Sequence, residues 1–154
     1  MAEVLFYHLT ATPLDRTLPD LLEKSLARGW RVLLRCGTQD GLAALDRALW
    51  SYRDDSFLPH GPATTADPER QPVLLTLGAE NANAAEVLML VEGATATVAE
   101  MSGFLRVCLL FDGGDAAAVE AARARWREVT AAGLAAVYWA QEDARWVRKA
   151  ASGG

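Results

Sequence analysis

The chain has 154 residues and a mass of 16.6 kDa, a size that suits one domain with its own hydrophobic core. Hydrophobic residues make up 51% of it, which excludes a disordered chain, and a net charge of −5 argues against a generally basic, DNA-coating surface. No apolar run reaches bilayer-spanning length and no signal-peptide pattern begins the chain, so we expect a soluble, cytoplasmic protein.

Strand-like apolar runs alternate with helical patterns along the chain. Strands are predicted at residues 3–9, 30–36, 73–77, 86–91, 105–111 and 135–140, and helices at 13–28, 39–52 and 115–132. Residues 94–103 are predicted to form a short helix or an irregular crossover, and residues 59–72 a long surface loop. Pro19 either kinks the first helix or marks its true first turn. This alternation predicts an α/β domain with a largely parallel sheet between helices.

The predicted domain covers residues 1–150, and residues 151–154 are predicted to be a disordered tail. The segment from residue 144 onward is basic, and its end is expected to fray. Cys36 and Cys108 lie in predicted strands, where a thiol behaves as a small hydrophobic group. The sequence does not exclude a disulfide between them, although the reducing cytosol disfavours one.

Signatures of catalysis and of nucleotide binding are absent from the sequence. The turn after the first strand, LTATPLDR, has no glycine for a dinucleotide fingerprint, and no P-loop pattern occurs anywhere. The turn at 111–117, FDGGDAA, is rich in glycine, but Asp112 and Asp115 would repel an anion there. We therefore predict Asp115 as a helix N-cap. His8 and His60 are too scattered for a metal site, so no catalytic residue, metal or cofactor is expected.

The stretch DRALWSYRDDSFLPHG, residues 46–61, places two large aromatic residues outside the predicted core. At about 100° per residue, Trp50 lies roughly 105° from the centre of the leucine stripe on its helix. Phe57 follows a charged run. The pair forms either a docking surface for another protein, or a loop that folds back and fills a gap in the domain.

The last long helix carries a second charged feature. Arg123 and Arg127 lie four residues apart beside Trp126, which stands at the margin of the apolar stripe. Such a group suits a peptide that ends in an apolar residue, with its terminal carboxylate held by arginine. Alternatively, Glu120 pairs with Arg123, and Trp126 belongs to the core.

These segments resemble the chi subunit of bacterial DNA polymerase III, an accessory component of the clamp-loader assembly. The resemblance rests on the FYHL of the first strand, on residues 46–61, and on RARWREVTAAG at 123–133 followed by a short strand. It covers nearly the whole chain. It implies a three-layer, Rossmann-like α/β fold without nucleotide-binding or catalytic activity, so the chain would be a non-enzymatic polymerase subunit. The alternative is a small α/β enzyme or nucleotide-binding domain with an unrecognised site.

The family binds the acidic C-terminal tail of single-stranded DNA-binding protein, which ends in phenylalanine. The resemblance carries this role to Arg123, Trp126 and Arg127. A basic residue of the family one turn earlier is Val119 here, so the basic patch is smaller. Contact with DNA itself is not expected.

A second surface of the family binds the small subunit psi, or a helicase that competes for the same place. The resemblance implies that the corresponding surface here consists of Trp50, Phe57, Leu58 and Pro59. Other clamp-loader subunits would be reached indirectly, and no membrane contact is implied. The chain is thus expected to be an adaptor with two separate binding faces.

Overall fold

A computed structural model describes residues 2–10, 13–51, 60–62, 67–142 and 145–152, which form one sheet with helices on both faces. The strands are β1 (Glu3–Leu9), β2 (Val32–Cys36), β3 (Gly61–Pro62), β4 (Val73–Thr76), β5 (Val87–Val91), β6 (Arg106–Asp112), β7 (Ala135–Glu142) and β8 (Arg145–Ser152). The helices are α1 (Leu14–Ala27), α2 (Gln39–Ser51), α3 (Val98–Met101) and α4 (Ala116–Ala131).

The eight strands are ordered β3-β4-β2-β5-β6-β1-β7-β8, and every neighbouring pair is parallel except β7 and β8. Every residue of β2 and β5 is buried, which explains why these segments are continuous apolar runs rather than alternating ones. The predicted α/β fold with a largely parallel sheet is confirmed.

Two hydrophobic cores lie on opposite faces of the sheet. The first packs leucines of α1 and α2 against the sheet: Leu18, Leu22, Leu42, Leu45 and Leu49. The second contains residues of α3, α4 and the crossover between β5 and β6: Ala94, Ala96, Met101, Phe104, Ala122 and Val129. Cys36 and Cys108 are buried and free, as predicted, and burial raises the pKa of each thiol to about 12.

A partly buried ion pair fixes α3 to the sheet. Arg35 of β2 is 5% exposed, donates from Nη1 to the carbonyl of Thr95 at 2.9 Å, and contacts Glu100 at 3.0 Å. Thr97 and Glu100 also form a capping box at the start of the helix. The Thr97 amide, and then Arg35, lower the pKa of Glu100 against the opposing effect of burial. Residues 94–103 therefore contain a short helix, one of the two predicted alternatives.

The first helix begins at Leu14 and runs through the buried Pro19, which excludes the alternative in which Pro19 marks its first turn. Two other segments differ from their prediction. Part of the predicted loop forms β3 and a 3-10 turn at Pro68–Arg70, because residues 61–62 pair with β4. The basic tail does not fray over residues 145–152: it forms β8, whose Trp146 packs edge-on against Tyr7 at 5.2 Å.

In the part of the chain that the structure describes, no helix is long and apolar enough to cross a membrane.

Candidate protein-interaction sites

The helix α4 is held by its cap and by its apolar stripe. Asp115 accepts hydrogen bonds from the amides of Ala117 and Ala118, which confirms the predicted N-cap and satisfies two donors that the first turn leaves open. Ala122 and Val129 are buried against the sheet. Because these contacts fix the orientation of α4 on the sheet, they also fix the directions in which its remaining side chains point.

Trp126 belongs to an aromatic cluster made by α4 and three strands. Its ring lies 5.4 Å from Phe6 and 6.0 Å from Tyr138, both edge-to-face. Tyr138 also stacks on Phe6 at 6.2 Å and contacts Phe111 at 6.0 Å. The Tyr138 hydroxyl lies 2.9 Å from Nδ1 of His8. Trp126 is partly buried, so it both packs on the core and offers ring surface to solvent.

Arg123 and Arg127 are exposed on α4, and both lie on the same side of Trp126 around the helix axis. Arg123 lies close enough to Tyr138 for its charge to lower the pKa of the phenol, which burial raises more strongly. No carboxylate of the described residues lies within 4.0 Å of either guanidinium, so the predicted pair of Glu120 with Arg123 does not form. Val119 is partly buried against the core, which leaves this surface with two cations.

A third arginine of α4 behaves differently. Arg125 contacts Glu128 at 2.7 Å and lines a cavity on the other flank of the helix. At about 100° per residue, it stands roughly 160° around the helix from Arg123. Arg125 therefore provides a cation on the same helix that is paired and faces away from the aromatic cluster.

That cavity has a volume of about 820 Å³ and opens at the carboxyl ends of β1, β5 and β6. Doubly wound sheets commonly bind ligands at this edge. Here the carboxylates of Glu92, Asp112 and Asp115 line it together with apolar side chains. Its acidic lining disfavours a phosphate, and neither Arg123 nor Trp126 contributes to it.

The glycine turn beside the cavity has its amides occupied. Gly113 donates to the carbonyl of Leu9 at 2.7 Å, and Gly114 donates to Asp112 at 2.8 Å. The turn therefore offers no free amide donor at either glycine for a nucleotide phosphate. In the described part of the chain, no group of three or more His, Cys, Asp or Glu is placed to hold a metal ion.

Trp50, the first residue of the second candidate surface, is 55% exposed at the end of α2. One of its contacts is the imidazole of His60, whose centroid lies 4.6 Å from that of the indole. His60 precedes β3 and is buried, with Nε2 3.2 Å from both the carbonyl and Oδ1 of Asp46. The chain thus returns against Trp50, while more than half of the surface of this residue is exposed. Residues 57–59, named with Trp50 in the prediction, lie outside the described residues.

Comparison with known protein families tests the predicted resemblance. A family model described as "DNA polymerase III chi subunit, HolC" matches residues 1–137. The chain belongs to this family. It is 35% identical over 69 residues to the DNA polymerase III subunit chi of Pseudomonas aeruginosa, a match over 45% of this chain and 47% of that protein. It is also 25% identical over 91 residues to a probable DNA polymerase III subunit chi of Rickettsia prowazekii, over 59% and 55% of the two chains. The chain thus spans about half the length of each relative that it matches.

Membership of the chi family confirms the predicted resemblance. The structure also adds members to the α4 site that residue spacing did not reveal. His8 lies on β1, far from α4 in sequence, and Tyr138 lies on β7, the strand that follows α4. The parallel register of β1 with β7 places these two side chains within contact of each other, and Tyr138 contacts Trp126. The consecutive aromatic residues in FYHL and VYW are the signal that could have predicted an aromatic cluster here.

Proposed function

We propose that this chi-family chain is a non-catalytic adaptor whose α4 site binds the acidic C-terminal tail of single-stranded DNA-binding protein. The observation that carries the proposal is the pairing of two arginines, which have no carboxylate within 4.0 Å among the described residues, with the partly exposed ring of Trp126. A peptide ending in phenylalanine has the complementary groups, an apolar ring and a terminal carboxylate.

The chemistry of the site supports this ligand. A guanidinium binds a carboxylate through two parallel N–H···O contacts, which orients the end of a peptide as well as attracting it. Arg123 lies beside Tyr138, so a carboxylate bound there would leave the terminal ring next to Trp126. Arg127, one turn further on, adds attraction for the acidic residues that precede the terminus.

A second partner docks, on this proposal, around Trp50 and residues 57–59. More than half of the Trp50 surface is exposed, and aromatic residues of this kind supply much of the binding energy in protein interfaces. The partner is psi or a helicase that competes for the same surface. With the two surfaces occupied, the chain would connect single-stranded DNA-binding protein in the cytoplasm to the clamp loader or to a repair helicase.

The α4 site is tested by fluorescence anisotropy with a labelled tail peptide from single-stranded DNA-binding protein. Arg123→Ala should weaken binding about 10- to 30-fold, because a lost charge-assisted contact is worth roughly 1.5–3 kcal/mol and this one is partly exposed. Arg125→Ala is the matched control, since it removes the same charge from the opposite flank of α4. Equal affinities of the wild type and Arg123→Ala would refute the site.

A peptide with an amidated C-terminus tests the same contact from the ligand side. It should lose about as much affinity as Arg123→Ala, and the variant should no longer distinguish it from the free acid. If amidation costs nothing, the terminal carboxylate is not bound by Arg123.

A further inference from the structure

The final strand β8 presents different side chains to the two faces of the sheet. Trp146 packs against Tyr7 in the core under α1 and α2. Ala150 is opposite Tyr138, and Tyr138 packs against Trp126 of α4, so Ala150 lies on the α4 side. Because side chains of paired residues share a face, the register assigns the rest of β8 in the same way.

On the α4 side, β8 carries Val147 opposite Ala140 and Arg145 opposite Glu142. Lys149 stands at the irregularity in the register, so alternation does not assign its face, but its ammonium contacts the carboxylate of Glu142, which lies on the α4 side. Arg148, opposite Trp139, lies on the other face. The strand thus has two cations on the α4 side and one on the reverse side.

This face of β8 is open to solvent and borders the α4 site. The helix packs over β6, β1 and β7, and most of β8 is exposed. Adjacent strands are about 4.8 Å apart, so Ala150 and Lys149 lie one strand away from the Tyr138 ring. Because the side chain of Ala150 is small, it does not block a peptide that extends from Trp126 across β8. No carboxylate of the described residues lies within 4.0 Å of Arg145.

We propose that the α4-side face of β8 continues the peptide-binding surface, and that Arg145 and Lys149 bind the acidic residues that precede the terminal phenylalanine of the peptide. The proposal rests on the function proposed above. It commits to an acidic, extended segment, because both charged side chains that β8 presents on this face are cationic in a chain of net charge −5. The family model ends at residue 137, so β8 lies beyond the part of the chain that it matches.

Glu142 competes for this ligand within the protein. Its carboxylate contacts Lys149, with about half of each side chain exposed. An incoming acidic residue must share or displace that contact. Removal of the Glu142 charge should therefore strengthen peptide binding, whereas removal of either cation should weaken it. A general loss of structure would weaken peptide binding in every variant, so it would not produce opposite effects on affinity at these neighbouring residues.

The test compares four variants by anisotropy with two labelled peptides at about 0.15 M salt. One peptide has the acidic tail sequence, and the other has its acidic residues replaced by their amides, both with the free terminal phenylalanine. Arg145→Gln and Lys149→Gln should each weaken binding of the acidic peptide about two- to five-fold, as for partly exposed ion pairs, and leave the amide peptide unchanged. Glu142→Gln should tighten binding of the acidic peptide. Arg148→Gln, the control of equal charge on the reverse face, should change neither.

The outcomes separate this inference from the function on which it rests. If Arg123→Ala weakens binding while Arg145→Gln and Lys149→Gln do not, the α4 site stands and the β8 surface is refuted. If Arg148→Gln has the same effect as Arg145→Gln, the contribution is only net charge, and β8 is again refuted. If the wild type binds neither peptide, both proposals fall.

Discussion

Replacing Trp126 with alanine separates its two suggested roles, as part of the core and as part of a binding site. Truncating a fully buried tryptophan costs about 3–5 kcal/mol of folding stability. Trp126 is only partly buried but has edge-to-face contacts with Phe6 and Tyr138, so we expect a loss of about 2–3 kcal/mol. For a chain of this size that corresponds to a fall in Tm of roughly 4–12 °C.

The assay is urea unfolding followed by tail-peptide anisotropy at a temperature where Trp126→Ala remains folded. A lower urea midpoint with an unchanged slope shows lost packing without a changed unfolded state. Peptide affinity should fall as well, since the terminal ring loses its apolar wall. Unchanged stability would refute the packing argument. A destabilised variant that binds like the wild type would show that Trp126 belongs to the core alone.

Three further changes test other parts of the structure. Glu100→Gln should destabilise the protein by about 1–3 kcal/mol at pH 7, because it removes the negative charge that pairs with the buried Arg35. Folding lowers the Glu100 pKa below its usual value of 4.5, so the difference in stability between variant and wild type should narrow as the pH falls through the folded-state pKa. Urea midpoints measured from pH 7 to pH 3 would show this change. Gly113→Ala should cost about 1–3 kcal/mol, because its Cβ would lie 2.2 Å from the His8 ring, and an unaltered melting curve would contradict this contact. Trp50→Ala should abolish capture of the second partner in pull-down while tail binding persists, and loss of both would indicate misfolding instead.

The fold could be predicted largely because its strands are buried on both faces. Continuous apolar runs such as VLLRC and VLMLV at β2 and β5 identify central parallel strands without reference to the rest of the chain. Helix boundaries followed from local chemistry in the same way. The amide of Gly41 donates to Thr38 at the start of α2, and Asp115 caps α4. These features depend on residues close together in sequence.

The features that sequence did not predict depend on distant contacts. β8 is a strand because β7 supplies its backbone partners and the core supplies Tyr7 for Trp146, neither of which its own basic sequence indicates. Pro19 is accepted inside α1 because the surrounding leucines bury that face of the helix, which outweighs its local helix-breaking tendency. The predicted α4 site named Arg123, Trp126 and Arg127 but did not include Tyr138, which contacts Trp126 in the structure.

The place of β1 in the sheet sets a condition on how the chain folds during its synthesis. β1 pairs with β6 and β7, and its Glu3 contacts Arg106 across 103 residues of sequence. At about 5–20 residues per second, a ribosome needs roughly 5–20 s to make that intervening length. Throughout that interval the apolar segment EVLFYHL has emerged with neither of its neighbouring strands. The first half of the sheet can pair β2 with β4 and then β5, but β1 must wait, so protection of this segment by a chaperone should determine the yield of folded protein.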